Sequence, residues 1–228
     1  SQGTLQTEYE FQTLCSQLTG MDVANAGMYD GSTSLAEAAL MAARVTKRNR
    51  VAVLETLSPL YVDVLRTYAQ SQGIEIDIVS RKNPGLSGDT ACLMVQQPNF
   101  FGYIEDMERY SETAHSAGAL LVASVDPISL GMFKPPGDYD ADIVAAEAQA
   151  MGVPLTFGGP YSGIFACNQR YVRQMPGRIV GKTVDTRGRT AYVLTLQTRE
   201  QHIRRERATS NICTSVALIA LMSTVYMS

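Results

Sequence analysis

Between residues 50 and 147 short apolar runs alternate with longer amphipathic ones, and this alternation limits the possible folds more than any other feature. RVAVLE at 50–55 reads as a strand, IEIDIVS at 74–80 as an alternating strand, and ACLMVQ at 91–96 as a third. ALLVASVD at 119–126 is continuously apolar, the pattern of a strand covered on both faces, and ADIVAA at 141–146 follows it. Helical spacing fills the gaps at 59–72, with Ser58 as cap and Pro59 at the first position, and at 103–117, closed by Gly118. Upstream, 4–18 carries Leu5, Phe11, Leu14 and Leu18 on one stripe and stops at Gly20. An alanine-rich helix at 33–46 follows Asp30-Gly31-Ser32. Downstream, Phe165 lies in a short strand, 168–175 forms a short helix, and AYVLTL at 191–196 is a strand preceded by a turn at Gly181 and Lys182. Such alternation predicts one α/β large domain over residues 1–228, with a mostly parallel sheet flanked by helices. The Pro/Gly-rich stretches 131–140 and 152–163 then become long connections at strand ends, where open α/β sheets bind ligands.

With 228 residues, 45% of them hydrophobic, the chain can fill a sizeable core. A net charge of −3 and a pI near 5.4 argue against a nucleic-acid partner. No run of 18 apolar residues is present, so no membrane span is expected. Both ends fall inside helical patterns, which suggests truncation at both termini. Cys15, Cys92, Cys167 and Cys213 are far apart and form no CxxC pair. Their apolar neighbours point to buried, reduced thiols and a cytoplasmic location.

Neither a GxGxxG after a strand nor a Walker loop occurs. The two histidines, His115 and His202, belong to no metal motif, and no metal is expected. Asp138, Asp140 and Asp142 alternate, but no further ligand follows at loop spacing, so they read as a solvated acidic loop. A pyridoxal phosphate site in such a sheet needs a phosphate cup at a helix N-terminus, a carboxylate at a strand end and an imine-forming lysine. Ser32, Thr33 and Ser34 supply either a cup or an ordinary helix cap. Asp126 supplies either the carboxylate or a turn cap. The lysine is missing. Only Lys47, Lys82, Lys134 and Lys182 exist, whereas the slot after the strand that follows the aspartate strand holds Gln149 and Ala150. No catalytic residue is therefore assigned to this chain, and no cofactor is expected on it. Two alternatives remain: a phosphate-binding module, or a self-sufficient pyridoxal enzyme using Lys134 or Lys182.

The segment Gln197 to Thr214 concentrates Arg199, His202, Arg204, Arg205 and Arg207 before Thr209, Ser210 and Asn211. It reads as a cationic helix followed by a helix-starting patch, suited to an anion or an acidic partner. This run resembles a signature of the glycine cleavage system P-proteins (glycine dehydrogenase, decarboxylating). LTGMDVANAGMYDGSTSLAEAALMA at 18–42, SVDPISLGMFKPPGDYDADI at 124–143, GVPLTFGGPYSGIFA at 152–166 and YVRQMPGRIVGKTVD at 171–185 extend the resemblance along essentially the whole chain. The lysine slot, the FGGPYSG loop and the TVYMS ending are similar to the separate α subunit (subunit 1) and not to the cofactor-bearing half.

The resemblance implies an aspartate aminotransferase-like fold, pyridoxal phosphate fold type I. It implies decarboxylation of glycine and transfer of the aminomethyl group to the lipoylated H-protein. Pyridoxal phosphate is expected on subunit 2 (the β subunit), within a heterotetramer, and this chain is expected to be architectural. Arg199, His202, Arg204 and Arg205 become candidates for the partner interface.

Overall fold

The computed structural model describes residues 1–212 and 216–228. Cys213 and Thr214, named above, lie outside the described residues. Helix α1 (Gln2–Thr19) opens the chain, capped by Ser1, whose hydroxyl accepts from the Thr4 amide at 3.4 Å. It ends at Gly20, in the left-handed region at φ 69°, a conformation that costs glycine little. A two-residue strand, β1 (Val23–Ala24), leads to α2 (Gly31–Thr46). Then follow β2 (Arg50–Leu54), α3 (Pro59–Gln70), β3 (Glu75–Val79), β4 (Thr90–Gln97), α4 (Met107–Ser116) and β5 (Leu120–Val125). Strands β6 (Ile143–Glu147), β7 (Gly163–Cys167), β8 (Ile179–Val184) and β9 (Thr190–Thr195), the single helical turn α5 (Gln201–Arg204) and helix α6 (Ala217–Met227) complete it.

Seven strands form one sheet in the order β1-β7-β6-β5-β4-β2-β3. Pairing is parallel from β3 through β6 and antiparallel at β6–β7 and β7–β1. Strand alternation divides the core in two. Val51, Val53, Cys92, Met94, Val122, Ile143, Ala145 and Phe165 face α2 and α3. Ala52, Leu54, Leu93, Val95, Leu121, Ala123, Val144 and Ile164 face α1, α4 and α6. Every residue of β5 is buried, which explains its uninterrupted apolar sequence.

The α/β expectation holds, with differences in particular elements. Helix α4 starts at Met107, because Asp106 caps it by accepting from the Arg109 amide at 3.2 Å. Residues 103–106 are loop. Ser58 sits before Pro59 as expected, yet its side chain makes no capping bond; its amide instead donates to Gln96 Oε1 at 2.8 Å. Residues 169–174 form a 3₁₀ helix. Lys182 lies within β8, not in a turn, and β8 and β9 form a separate antiparallel hairpin. Gln12 of α1 acts as a surrogate strand for it: its Nε2 donates to Val180 O at 3.0 Å and its Oε1 accepts from Val180 N at 2.8 Å.

The cationic segment is not a continuous helix. It breaks into a 3₁₀ turn at Gln197–Arg199, α5, and a second 3₁₀ turn at Arg205–Arg207. Ser210 and Asn211 start no helix. A long helix that is polar all round gains little from packing. Here one residue, Arg199, is instead drawn inward and pins the backbone. The acidic-loop reading also needs correction at Asp142. That carboxylate is fully buried, accepting from Arg170 Nη2 at 2.7 Å and the Leu121 amide at 2.9 Å, with His115 Nε2 2.8 Å away. Asp138 and Asp140 remain exposed.

Candidate functional site

The carboxyl ends of β5 and β6 and the N-terminus of α2 meet at one edge of the sheet. Helix α2 crosses the sheet to reach that edge, packing on β2, β4, β5, β6 and β7. Close approach is possible because two glycines face each other's neighbours. A Cβ on Gly31 would stand 2.7 Å from the Tyr61 hydroxyl and 2.9 Å from Glu147 Cβ. One on Gly163 would stand 2.4 Å from the Asp30 carbonyl oxygen, with Ser34 Oγ closer still.

Most first-turn donors of α2 face carboxylates of this chain, and Ser34 turns to the Asp30 carbonyl. Asp30, the N-cap, accepts from the Thr33 amide at 2.9 Å through Oδ1 and from the Thr33 hydroxyl at 2.6 Å through Oδ2. The Ser32 hydroxyl also donates to Asp30 Oδ1, and the Ser34 hydroxyl donates to the Asp30 carbonyl at 2.8 Å. Glu147, the last residue of β6, takes the Gly31 amide at 2.8 Å on Oε2. Its Oε1 accepts from the Gln149 amide at 2.9 Å and the Ser162 amide at 3.3 Å. Ser32 and Thr33 thus turn to a carboxylate that the chain itself supplies, and Ser34 to the carbonyl of the same residue.

Electrostatics follow from that arrangement. Burial raises Asp30, but the hydrogen bonds from Ser32 and Thr33 outweigh it and hold the carboxyl below its ordinary value. Glu147 is pushed up by burial, against the lowering pull of its three backbone donors. Burial, then the nearby charges of Glu147, Asp30 and Asp126, push the Tyr61 hydroxyl to about 12. Among the described residues none of these three carboxylates pairs with a lysine or arginine. A phosphate oxygen within about 4 Å of either cup carboxylate would meet repulsion of roughly 4 kcal/mol per pair of unit charges.

Asp126, just past β5, shapes a loop: its Oδ1 accepts from the Ile128 amide at 3.0 Å, capping the 3₁₀ turn Pro127–Gly131. Gln149 and Ala150 follow β6 in a tight turn, where the Val153 amide donates to the Gln149 carbonyl at 3.1 Å. Lys134 is paired with Glu108 at 2.8 Å, Lys182 is in the β8–β9 hairpin, and Lys47 ends α2 at the helix terminus opposite the cup. The residues at this edge therefore do not fit pyridoxal phosphate: the cup is filled by carboxylates and the strand end carries no lysine.

Sequence reasoning missed Glu147 and Tyr61. Glu147 closes the buried run DIVAAE, and a charge at the end of such a run was the available signal. It also missed Glu105, whose side chain is 1% exposed. Glu105 accepts from Thr56 Oγ1 at 2.9 Å, Asn99 Nδ2 at 2.6 Å and Arg81 Nε at 2.8 Å, binding the loops after β2, β3 and β4 together. Those loops and their neighbours hold out Phe101 (64% exposed), Tyr103, Met132 (85%), Leu155 (76%) and Phe157.

Of the cationic residues, Arg199 is buried and donates to the Met175 and Gly177 carbonyls. Its guanidinium is engaged within the chain. His202, Arg204 and Arg205 are exposed, with Arg204 Nε donating to the Thr198 carbonyl at 3.1 Å. No helix among the described residues is long and apolar enough to cross a membrane.

The glycine cleavage system P-protein family model matches residues 1–228. A probable glycine dehydrogenase (decarboxylating) subunit 1 from Desulforamulus reducens is 55% identical over 237 residues, covering 100% of this chain and 53% of the relative. One of the same description from Desulfitobacterium hafniense is 53% identical, with the same coverage. The chain thus spans about half the length of these curated relatives. A crystal structure of an inhibitor-bound glycine decarboxylase (P-protein) superposes with a TM-score of 0.96 at 46% identity, over 100% of this chain and 53% of that one. A methionine gamma lyase from Micromonospora echinospora, at 16% identity and a TM-score of 0.62 over 97% of this chain and 52% of its own, shares the fold. A single family thus accounts for the full length matched and the near-superposable fold, and the chain belongs to the glycine cleavage system P-proteins.

Proposed function

We propose that this chain is the core of the non-catalytic subunit 1 (α subunit) of a glycine-decarboxylating P-protein, and that residues 1–228 act in it as one α/β unit. The observation that carries the reading is the carboxyl end of β6. There the slot read from the sequence for an imine-forming lysine holds Gln149 and Ala150, after Glu147 ends β6 and beside Asp126, just past β5. In the assembled enzyme, subunit 2 would hold pyridoxal phosphate. Glycine would be decarboxylated there and the aminomethyl group passed to the lipoyl arm of the H-protein. The cofactor would supply the electron sink for loss of carbon dioxide.

This chain's contribution is architectural. Exposed apolar residues cluster on loops at the carboxyl edge, and Glu105 holds the loops after β2, β3 and β4 in one shape. Exposed apolar side chains on these loops suit a subunit interface. A self-sufficient enzyme using Lys134 or Lys182 is disfavoured by the ion pair of the first and the hairpin position of the second.

The test is borohydride reduction of the full-length protein with pyridoxal phosphate, followed by peptide mapping, and then reconstitution with subunit 2. The expected result is no stoichiometric adduct on this chain and glycine decarboxylation only on reconstitution. One stoichiometric adduct at Lys134 or Lys182 would overturn the proposal.

A further inference from the structure

We infer that Glu147 is an internal anion that closes the phosphate cup of this chain, so that the α2 N-terminus rejects free phosphate and phosphorylated cofactors. The inference rests on the non-catalytic reading and names the group responsible for it. A helix N-terminus ordinarily attracts phosphate because its first-turn amides are unpaired. Here the Gly31 and Thr33 amides donate to Glu147 and Asp30 at 2.8 and 2.9 Å, and the hydroxyls of Ser32 and Thr33 turn to Asp30. Asp30 alone would be an ordinary cap. Glu147 is not one, because it arrives from β6, 116 residues along the chain, and also takes the Gln149 and Ser162 amides. Those two amides belong to the turn after β6 and the entry to β7. One carboxylate thus gathers three backbone segments at the place where an incoming phosphate would do so.

The arrangement leaves no space beside it. The Cβ missing at Gly31 would lie 3.0 Å from the Glu147 amide nitrogen, so helix and strand end are in direct contact. Loss of the lysine alone would leave a chain able to bind the cofactor without using it. A carboxylate in the cup removes binding as well, and so leaves the cofactor to the second subunit.

The experiment measures inorganic phosphate binding to the full-length subunit 1 without its partner, by phosphorus-31 line broadening and by calorimetry. Wild type, Glu147→Ala and Glu147→Gln are compared, with folding checked by circular dichroism. Wild type is expected to show no binding at millimolar phosphate. Glu147→Ala should bind at least about tenfold more tightly than wild type, the change expected from removing one charge and opening its space. Glu147→Gln keeps the bulk and loses the charge, and a smaller gain is expected; it also serves if the alanine variant does not fold. Saturable phosphate binding by wild type, or no gain in the folded variants, would overturn the inference. Neither result touches the non-catalytic assignment, which falls only to a lysine adduct.

Discussion

Replacing Gly31 by alanine wedges apart the joint on which the site depends. The added carbon would meet the Tyr61 hydroxyl at 2.7 Å, Glu147 Cβ at 2.9 Å and the Glu147 amide at 3.0 Å. Tyr61 can swing its hydroxyl away, but the β6 backbone cannot move without disturbing its pairing with β5 and β7. Overpacking of this kind costs about 1–3 kcal/mol. Pulling the Gly31 amide off Glu147 leaves a buried donor unpaired, for about 1–3 kcal/mol more. The helix propensity gained by alanine returns at most about 1 kcal/mol. A net loss of about 3 kcal/mol remains, and at roughly 2–4 °C per kcal/mol for a chain of this size the midpoint should fall by about 6–12 °C. Gly3 is the control, since nothing lies within 4 Å of its would-be Cβ in the first turn of α1. There alanine should raise the midpoint by a degree or two, roughly the propensity difference alone. Thermal unfolding by circular dichroism reads both. A Gly31→Ala midpoint within about 2 °C of wild type would refute the close-contact reasoning.

Four other outcomes are expected. Asp142→Ala should cost about 3 kcal/mol in urea unfolding, because the buried carboxylate serves Arg170, His115 and the Leu121 amide together, whereas Asp142→Asn should cost less by still accepting from Leu121. Native Cys15, Cys92 and Cys167 should resist thiol reagents near pH 8 and react on unfolding, since burial pushes all three thiols up, Cys167 to about 12. Asp30 is lowered in the folded state, so its stabilisation is complete above its unfolded value of 3.8 and is lost as pH falls through the folded value; an acid titration of stability should be shallower in Asp30→Asn. Glu147, raised above 4.5, opposes this by favouring the folded state less as pH rises from 4.5 to its folded value. On the proposed function, alanine at both Arg204 and Arg205, which are exposed, should weaken assembly with subunit 2 in sedimentation while leaving the fold unchanged.

The strands and long helices were legible because each is a local pattern. The apolar runs at 91–96, 119–126 and 141–146 all became central strands, and the two-faced burial of β5 was written in its composition. Strand β8 was not legible, because Gly181 and Lys182 look like a turn until Gln12 of α1 is seen to hold its edge. The arginine-rich segment misled for a related reason. Arg and Glu favour helix locally, yet the anchoring of Arg199 to the Met175 and Gly177 carbonyls is a tertiary event that no window reveals. At the candidate site, Ser32, Thr33, Ser34 and Asp126 could be named from the sequence, and in the fold they cap α2 and the turn after β5. Their actual partners were hidden, because Glu147 is distant in sequence and meets Gly31 only after α2 has crossed the sheet.

Glu147 also gives this chain an independence that ligand-dependent folds lack. A protein held together by a diffusible anion is only as stable as the supply of that anion allows, gaining RT ln(1 + [L]/Kd) and losing it on dilution. A carboxylate carried on β6 is present at a local concentration fixed by the chain, which no cellular dilution changes. The joint between α2, the turn after β6 and the start of β7 can therefore form as soon as those segments have been made. Unlike a joint that waits for a bound anion, this one carries its joining group in the sequence itself.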